Sequence, residues 1–129
     1  MKTTVKLTGA LEDYLEAIYI IEKSKDEVRI TDIALFMEIS KPSVNKAVEN
    51  LRRNGLLEHE KYGCIKLTSA GRKVASEVYF RHEMLTNFLV NTLGIDRNIA
   101  EQDACKMEHI VSHETLYKLI DYMKSNSSV

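Results

Sequence analysis

Residues 30–67 constrain the fold most, because four short pieces follow one another in an order that few architectures accept. Ile30-Thr31-Asp32 opens a helix, with Thr31 as the expected N-cap and Ile33, Ala34 and Met37 on its inner face. Glu38-Ile39-Ser40 reads as a tight turn. Ser40 caps a further helix that starts Lys41-Pro42, where proline's missing N–H costs nothing. Val44, Ala47, Val48 and Leu51 form its buried face, while Lys41, Ser43, Asn45, Lys46, Asn50 and Arg53 lie largely off it. Asn54-Gly55 stops that helix. Leu56–Glu60 and Cys64–Leu67 are then extended, separated by Lys61-Tyr62-Gly63, which predicts a two-stranded hairpin. Helix, turn, helix and hairpin in this order describe a winged helix-turn-helix, a unit that reads DNA.

Helical periodicity dominates on both sides, so the expected fold class is mostly α. Leu11, Tyr14, Leu15, Ile18 and Tyr19 give residues 8–24 one apolar face, with Thr8 placed to cap it. SKDEVR (24–29) reads as a loop. Thr68 or Ser69 caps a long helix over about 69–92 that Gly94 ends. Asp96 caps a helix over about 97–111, and Ser112 or His113 starts a last one over about 113–124. The tail SNSSV is expected to be disordered. The division follows: residues 1–70 a DNA-binding unit, 71–125 an α-helical unit joined without a flexible linker, and 126–129 a tail.

Composition excludes several classes. One proline and five glycines in 129 residues rule out collagen-like and low-complexity chains. No apolar run approaches the ~18 residues of a membrane span. The N-terminal stretch is broken by Glu12, Asp13 and Glu16 and is no secretory leader, so a cytoplasmic protein is expected, with no membrane partner. Cys64 and Cys105 are too few for a disulfide framework. The net charge of −1 hides an asymmetry: residues 41–81 carry nine basic and four acidic side chains, between acidic flanks. That is the footprint of a modest nucleic-acid face, although an ordinary solvated surface has the same composition.

Cys105, Glu108 and His109 stand at i, i+3 and i+4 on one expected helix, so their side chains share a face. A thiolate, a carboxylate and an imidazole together suit a transition metal. A buried cysteine, an exposed glutamate and a half-buried histidine satisfy the same spacing. Asp13 and Glu16 are i, i+3 on the first helix, and by themselves read as solvated charges. His82 reads as a packing or surface histidine, as do His59 in the hairpin and His113 at a helix start; Cys64 reads as packing.

At these residues the chain resembles the diphtheria toxin repressor and manganese transport regulator family of metal-dependent regulators. Asp13-Tyr14-Leu15-Glu16-Ala17-Ile18-Tyr19 is similar to that family's first helix, and Ile33-Ala34 with Lys41-Pro42-Ser43-Val44 to its helix-turn-helix. Leu67-Thr68-Ser69-Ala70-Gly71 is similar to the junction after its wing. Arg81-His82-Glu83-Met84 with Phe88-Leu89 resembles its "RHxLxxxFL" signature, with Met84 for the leucine. Cys105-Lys106-Met107-Glu108-His109 resembles its metal-binding helix.

The resemblance implies a metal site made by Asp13, Glu16, His82, Cys105, Glu108 and His109. Asp13 belongs to the manganese branch and Cys105 to the iron branch. Thr86 and Glu101 stand near positions where the iron branch has Glu and His for an ancillary site. The chain also ends where that branch adds a third, SH3-like domain, so the short manganese-type architecture is expected. Mn²⁺ or Fe²⁺ suits the three carboxylates, and Co²⁺, Ni²⁺ or Zn²⁺ can substitute; the manganese branch implies that two adjacent ions bridged by a carboxylate such as Glu108 can bind each subunit.

The implied activity is metal-dependent regulation of transcription, expected to repress metal-uptake genes, by a homodimer on a palindromic operator. Lys41, Pro42, Ser43, Asn45 and Lys46 would face the major groove, and Arg52, Lys61 and Tyr62, with Arg72 nearby, the phosphates. The alternative is a winged-helix regulator controlled by a small organic ligand. A di-metal carboxylate enzyme is not expected, because paired helical Glu-x-x-His motifs are absent from the sequence.

Overall fold

The computed structural model describes residues 7–60 and 63–126. The chain divides into two compact units, Met1–Ser76 and Glu77–Val129. In order it forms α1 (Gly9–Ile21), α2 (Ile30–Met37), α3 (Lys41–Arg53), β1 (Leu57–His59), β2 (Ile65–Leu67), α4 (Ser69–Asn87), α5 (Arg97–Met107) and α6 (His113–Asn126).

The first unit is a winged helix-turn-helix. Thr8 caps α1, its hydroxyl oxygen accepting from Leu11 N–H. α1 closes at Ile21, short of the expected residue 24, because Lys23 and Ser24 N–H tighten onto the Ile20 and Ile21 carbonyls. α2 starts at Ile30 with Arg29, not Thr31, at the N-cap. The start is set by the third helical residue: the Asp32 carboxylate accepts from Arg29 N–H at 2.9 Å and from Lys25 Nζ at 3.0 Å. Burial pushes the Asp32 carboxyl up, but the Arg29 N–H and the Lys25 ammonium outweigh it and hold it below its ordinary value. Ser40 caps α3 as expected, accepting from Ser43 N–H, with Pro42 in the first turn.

Val44, Ala47, Val48 and Leu51 are buried, joining Leu15, Ile18, Ile33, Leu57 and Ile65 in one core. β1 and β2 pair antiparallel, with Leu57 opposite Leu67 and His59 opposite Ile65. The stretch expected to be a plain loop adds to this wing: buried Val28 bridges Ile65, whose N–H donates to the Val28 carbonyl at 2.7 Å. An isolated two-stranded hairpin is marginal in water, and this bridge anchors its base.

Two backbone positions shape the unit. Gly55, at φ +75°, lets the chain turn off α3, with Leu56 N–H closing onto the Leu51 carbonyl. Glu38, the C-cap of α2, sits at φ 60° with no glycine's freedom. A left-handed residue with a Cβ costs roughly 1–2 kcal/mol. Glu38→Gly is therefore expected to raise unfolding stability by about 0.5–1 kcal/mol, the added freedom of the unfolded chain offsetting the rest. Urea denaturation reads this as a higher midpoint at unchanged slope.

The second unit packs the end of α4, α5 and α6 around Leu85, Ala104 and Leu116, with Met84, Met107, Val111, Leu119 and Ile120 against them. The stretch expected to be one helix to residue 92 changes character at Phe88, where a π-helical turn runs Phe88–Thr92 and Leu93 N–H reaches the Phe88 carbonyl. Asp96 caps α5, accepting from Asn98 N–H, and Ser112 caps α6, accepting from Thr115 N–H. α5 ends at Met107, not 111. Beyond it His109 and Ile110 N–H bond three residues back, a tight last turn. Ser125 and Asn126, expected in a disordered tail, belong to α6. Residues 127–129 of that tail, and Lys61 and Tyr62 of the wing, lie outside the described residues.

Candidate metal centre and nucleic-acid face

On α1, Asp13 and Glu16 stand one helical turn apart. Asp13 is half-buried, and Glu16 is buried with 7% of its surface exposed. The expectation of two solvated charges therefore fails for Glu16. A buried carboxylate costs several kcal/mol unless a cation or donors compensate it.

The second unit carries the richer cluster. Glu108 is the C-cap of α5 and is 0% exposed. Its Oε1 lies 2.8 Å from His82 Nδ1 on α4. Its Oε2 lies 3.5 Å from His109 Nε2 and is a buried atom with no hydrogen-bond partner. Its main-chain carbonyl accepts from Arg81 Nη1 at 3.0 Å. Cys105, one turn earlier on α5, is half-buried and is not part of a disulfide. It shares the lining of a depression of about 660 Å³ with His82, Asn98, Glu101, Gln102 and Lys106. The helix on which Cys105, Glu108 and His109 were expected to sit together stops at Met107, yet Glu108 keeps right-handed backbone angles, so its carboxylate still lies one turn beyond the thiol.

A carboxylate oxygen buried without a hydrogen bond, between two imidazoles and near a thiol, fits a divalent transition cation in donor chemistry. The iron-branch ancillary positions fit less well. Thr86 is buried with its hydroxyl unpartnered, and Glu101 is exposed and paired to Arg97 at 3.7 Å. Arg81 is the site residue that sequence reasoning missed as such; its place beside His82 in the Arg-His signature was the available signal. His113 stacks on Tyr117 and His59 is exposed on β1.

On α3, Lys41, Pro42, Ser43, Asn45 and Lys46 are all exposed, opposite the buried Val44–Leu51 stripe. The helix N-terminus adds its partial positive charge to the two lysines. Arg52 is already engaged: its guanidinium forks onto Glu49 at 3.0 and 2.7 Å, with Arg53 Nε 3.4 Å from the same carboxylate. That hydrogen bond to Arg52, with the charge of both arginines, holds the Glu49 carboxyl below its usual range. Arg72 is paired with Glu22 at 2.7 Å.

Two family models match, and together they span nearly the whole chain. The N-terminal DNA-binding domain of iron-dependent repressors matches residues 6–65, and the metal-binding and dimerisation domain of the same repressors matches residues 68–128. The chain belongs to the iron-dependent repressor family of metal-dependent transcriptional regulators. It is 34% identical over 92% of its length to an uncharacterised helix-turn-helix-type transcriptional regulator of Methanocaldococcus jannaschii, covering 95% of that protein. It is 32% identical over 94% of its length to the transcriptional regulator MntR of Shouchella clausii, covering 86% of it. Among solved structures, a manganese-dependent transcriptional repressor in complex with manganese superposes with a TM-score of 0.82 at 29% identity, over 88% of this chain and 52% of that one. The manganese regulator SloR gives 0.80 at 28%, over 93% and 55%. The chain thus spans about half the length of these solved proteins. Among the described residues no helix is long and apolar enough to cross a membrane.

Proposed function

We propose that this protein is a metal-sensing repressor that works in the cytoplasm by binding, not by catalysis. A homodimer would occupy a palindromic operator when Mn²⁺ or Fe²⁺ is bound, with Asp13, Glu16, His82, Cys105, Glu108 and His109 as the metal's ligands. The carrying observation is the fully buried Glu108 carboxylate, one oxygen on His82 and the other without a hydrogen bond. Homology to manganese regulators supports the choice of ion.

A bound divalent cation would supply the positive charge that the carboxylates proposed as its ligands need. Asp13 and Glu16 belong to the DNA-reading unit, and His82, Cys105, Glu108 and His109 to the other. Shared ligation would restrict the motion of one unit against the other and favour the DNA-competent arrangement. Only the difference in metal affinity between the two arrangements moves the equilibrium, commonly about 1–3 kcal/mol. Lys41, Pro42, Ser43, Asn45 and Lys46 would enter the major groove, Asn45 and Lys46 bonding base edges and Pro42 touching thymine methyl groups. Arg52, Lys61 and Tyr62 would hold phosphates.

The test is binding to a palindromic operator of the family type at fixed salt, first in chelator, then with Mn²⁺, anaerobic Fe²⁺, Co²⁺ and Zn²⁺ at equal free concentration. Binding with metal alone is expected, and the ranking of ions reads what the Cys105 thiol does to selectivity. Equal affinity in chelator would leave the winged helix standing and overturn the metal switch in favour of an organic effector.

A further inference from the structure

Arg81 does more than decorate a signature. It sits on α4 immediately before His82, and its guanidinium donates to the main-chain carbonyl of Glu108, 27 residues along the chain. That carbonyl belongs to the C-cap of α5, where no further helical turn supplies an N–H to meet it. His82 holds the carboxylate of the same residue. Two neighbours in sequence therefore grip one residue at both ends, main chain and side chain. α5 ends here without glycine or a left-handed cap: Glu108 N–H keeps a helical bond to the Ala104 carbonyl, and the turn beyond it closes on the Lys106 and Met107 carbonyls. Arg81 adds a tertiary tie to the main chain of this turn, beside the one His82 makes to the side chain.

We propose that Arg81 is a positioning residue that fixes the Glu108 carboxylate and thereby raises the site's affinity for a divalent cation. The proposal rests on reading Glu108 as a ligand. Two effects of the arginine oppose each other. Its hydrogen bond orders the ligand before the cation arrives, which lowers the entropy lost on coordination. Its charge repels the cation. Arg81 is half-exposed, so solvent screens the charge, whereas the hydrogen bond acts at contact distance. The ordering effect is the larger. Removing such an outer partner of a ligand weakens metal binding about 10–100-fold.

The experiment measures Mn²⁺ affinity by competition with a fluorescent chelator, well below the melting temperature, for the wild type, Arg81→Met, Arg81→Gln, Arg81→Lys and Glu108→Gln. Melting temperatures are recorded in chelator and in saturating Mn²⁺. Arg81→Met is expected to bind at least about tenfold more weakly. Arg81→Lys and Arg81→Gln each keep a donor for the carbonyl and are expected to recover most of that loss. The metal-induced rise in melting temperature should shrink in Arg81→Met and return in Arg81→Lys.

If Arg81→Met binds Mn²⁺ as tightly as wild type while Glu108→Gln does not bind, the positioning role is overturned and the ligand reading survives. Tighter binding by Arg81→Met would show that charge repulsion wins and would equally overturn it. A lower melting temperature in chelator with unchanged affinity would reduce Arg81 to a structural tie. If Glu108→Gln itself binds like wild type, the ligand reading fails and this proposal with it.

Discussion

Glu108→Ala is expected to leave a folded protein, in the proposed dimer, whose operator affinity no longer changes when Mn²⁺ is added. The wild type should gain about 5–150-fold from the metal, the usual range for such coupling. In the variant the ratio should fall to about one. Asp13→Ala should do the same from the other unit, although Asp13 stands on α1 and Glu108 at the end of α5. Glu108 is fully buried and partnered by His82, so its loss also removes the 2.8 Å contact at His82 Nδ1. That costs about 1–3 kcal/mol of stability. Glu108→Gln, which keeps the volume, separates the two effects. Titration of a fluorescent operator with and without metal, beside a melting curve for each variant, is the measurement. A variant that still responds normally to metal would remove its residue from the ligand set.

Gly71→Ala is expected to be the most destabilising small change in the first unit. Gly71 lies in the first turn of α4, and a Cβ there would overlap the Leu56 carbonyl oxygen and crowd the carbon behind it. Neither is the free end of a flexible side chain. Leu56 is pinned by its N–H on the Leu51 carbonyl and its carbonyl on Thr68 N–H. Thr68 closes the same knot, donating to the Gly55 carbonyl at 2.8 Å and accepting from Gly71 N–H at 3.0 Å. Overpacking commonly costs about 1–3 kcal/mol and more where backbone cannot yield. Here about 3 kcal/mol or more is expected, read as a fall in urea midpoint. Ala70→Gly, at an exposed neighbour in the same turn, should cost only about 1 kcal/mol. Equal losses at the two positions would show that close approach is not what requires the glycine.

The helix starts at Thr8, Ser40, Asp96 and Ser112 were legible because short polar side chains cap by local chemistry. The buried stripe of α3 was legible because its period is strict. What escaped was non-local. Val28 joins the wing only because Ile65, far along the chain, supplies a partner. Arg29 displaced Thr31 as a cap because the Asp32 carboxylate reaches its N–H. The end of α5 at Met107 carries no breaker residue, and a tertiary donor meets the carbonyl of its C-cap, Glu108. At the candidate site, spacing brought out Cys105, Glu108 and His109, and only the family resemblance raised Asp13, Glu16 and His82 above ordinary charges. Burial of Glu16 and Glu108 is what no local pattern announces.

Glu49 has a consequence for how the protein would feel ionic strength. Two arginines on α3 share this one carboxylate. In the proposed complex, each phosphate newly neutralised by a cationic side chain sheds condensed counter-ions and steepens the dependence of affinity on salt by about 0.9 in a log–log plot. An arginine that must first leave Glu49 returns a bare carboxylate to solution, which recruits a cation in exchange. The reading helix therefore carries its own counter-ion. It would hold DNA with a shallower salt dependence than its count of basic residues suggests, and rely the more on contacts that read bases.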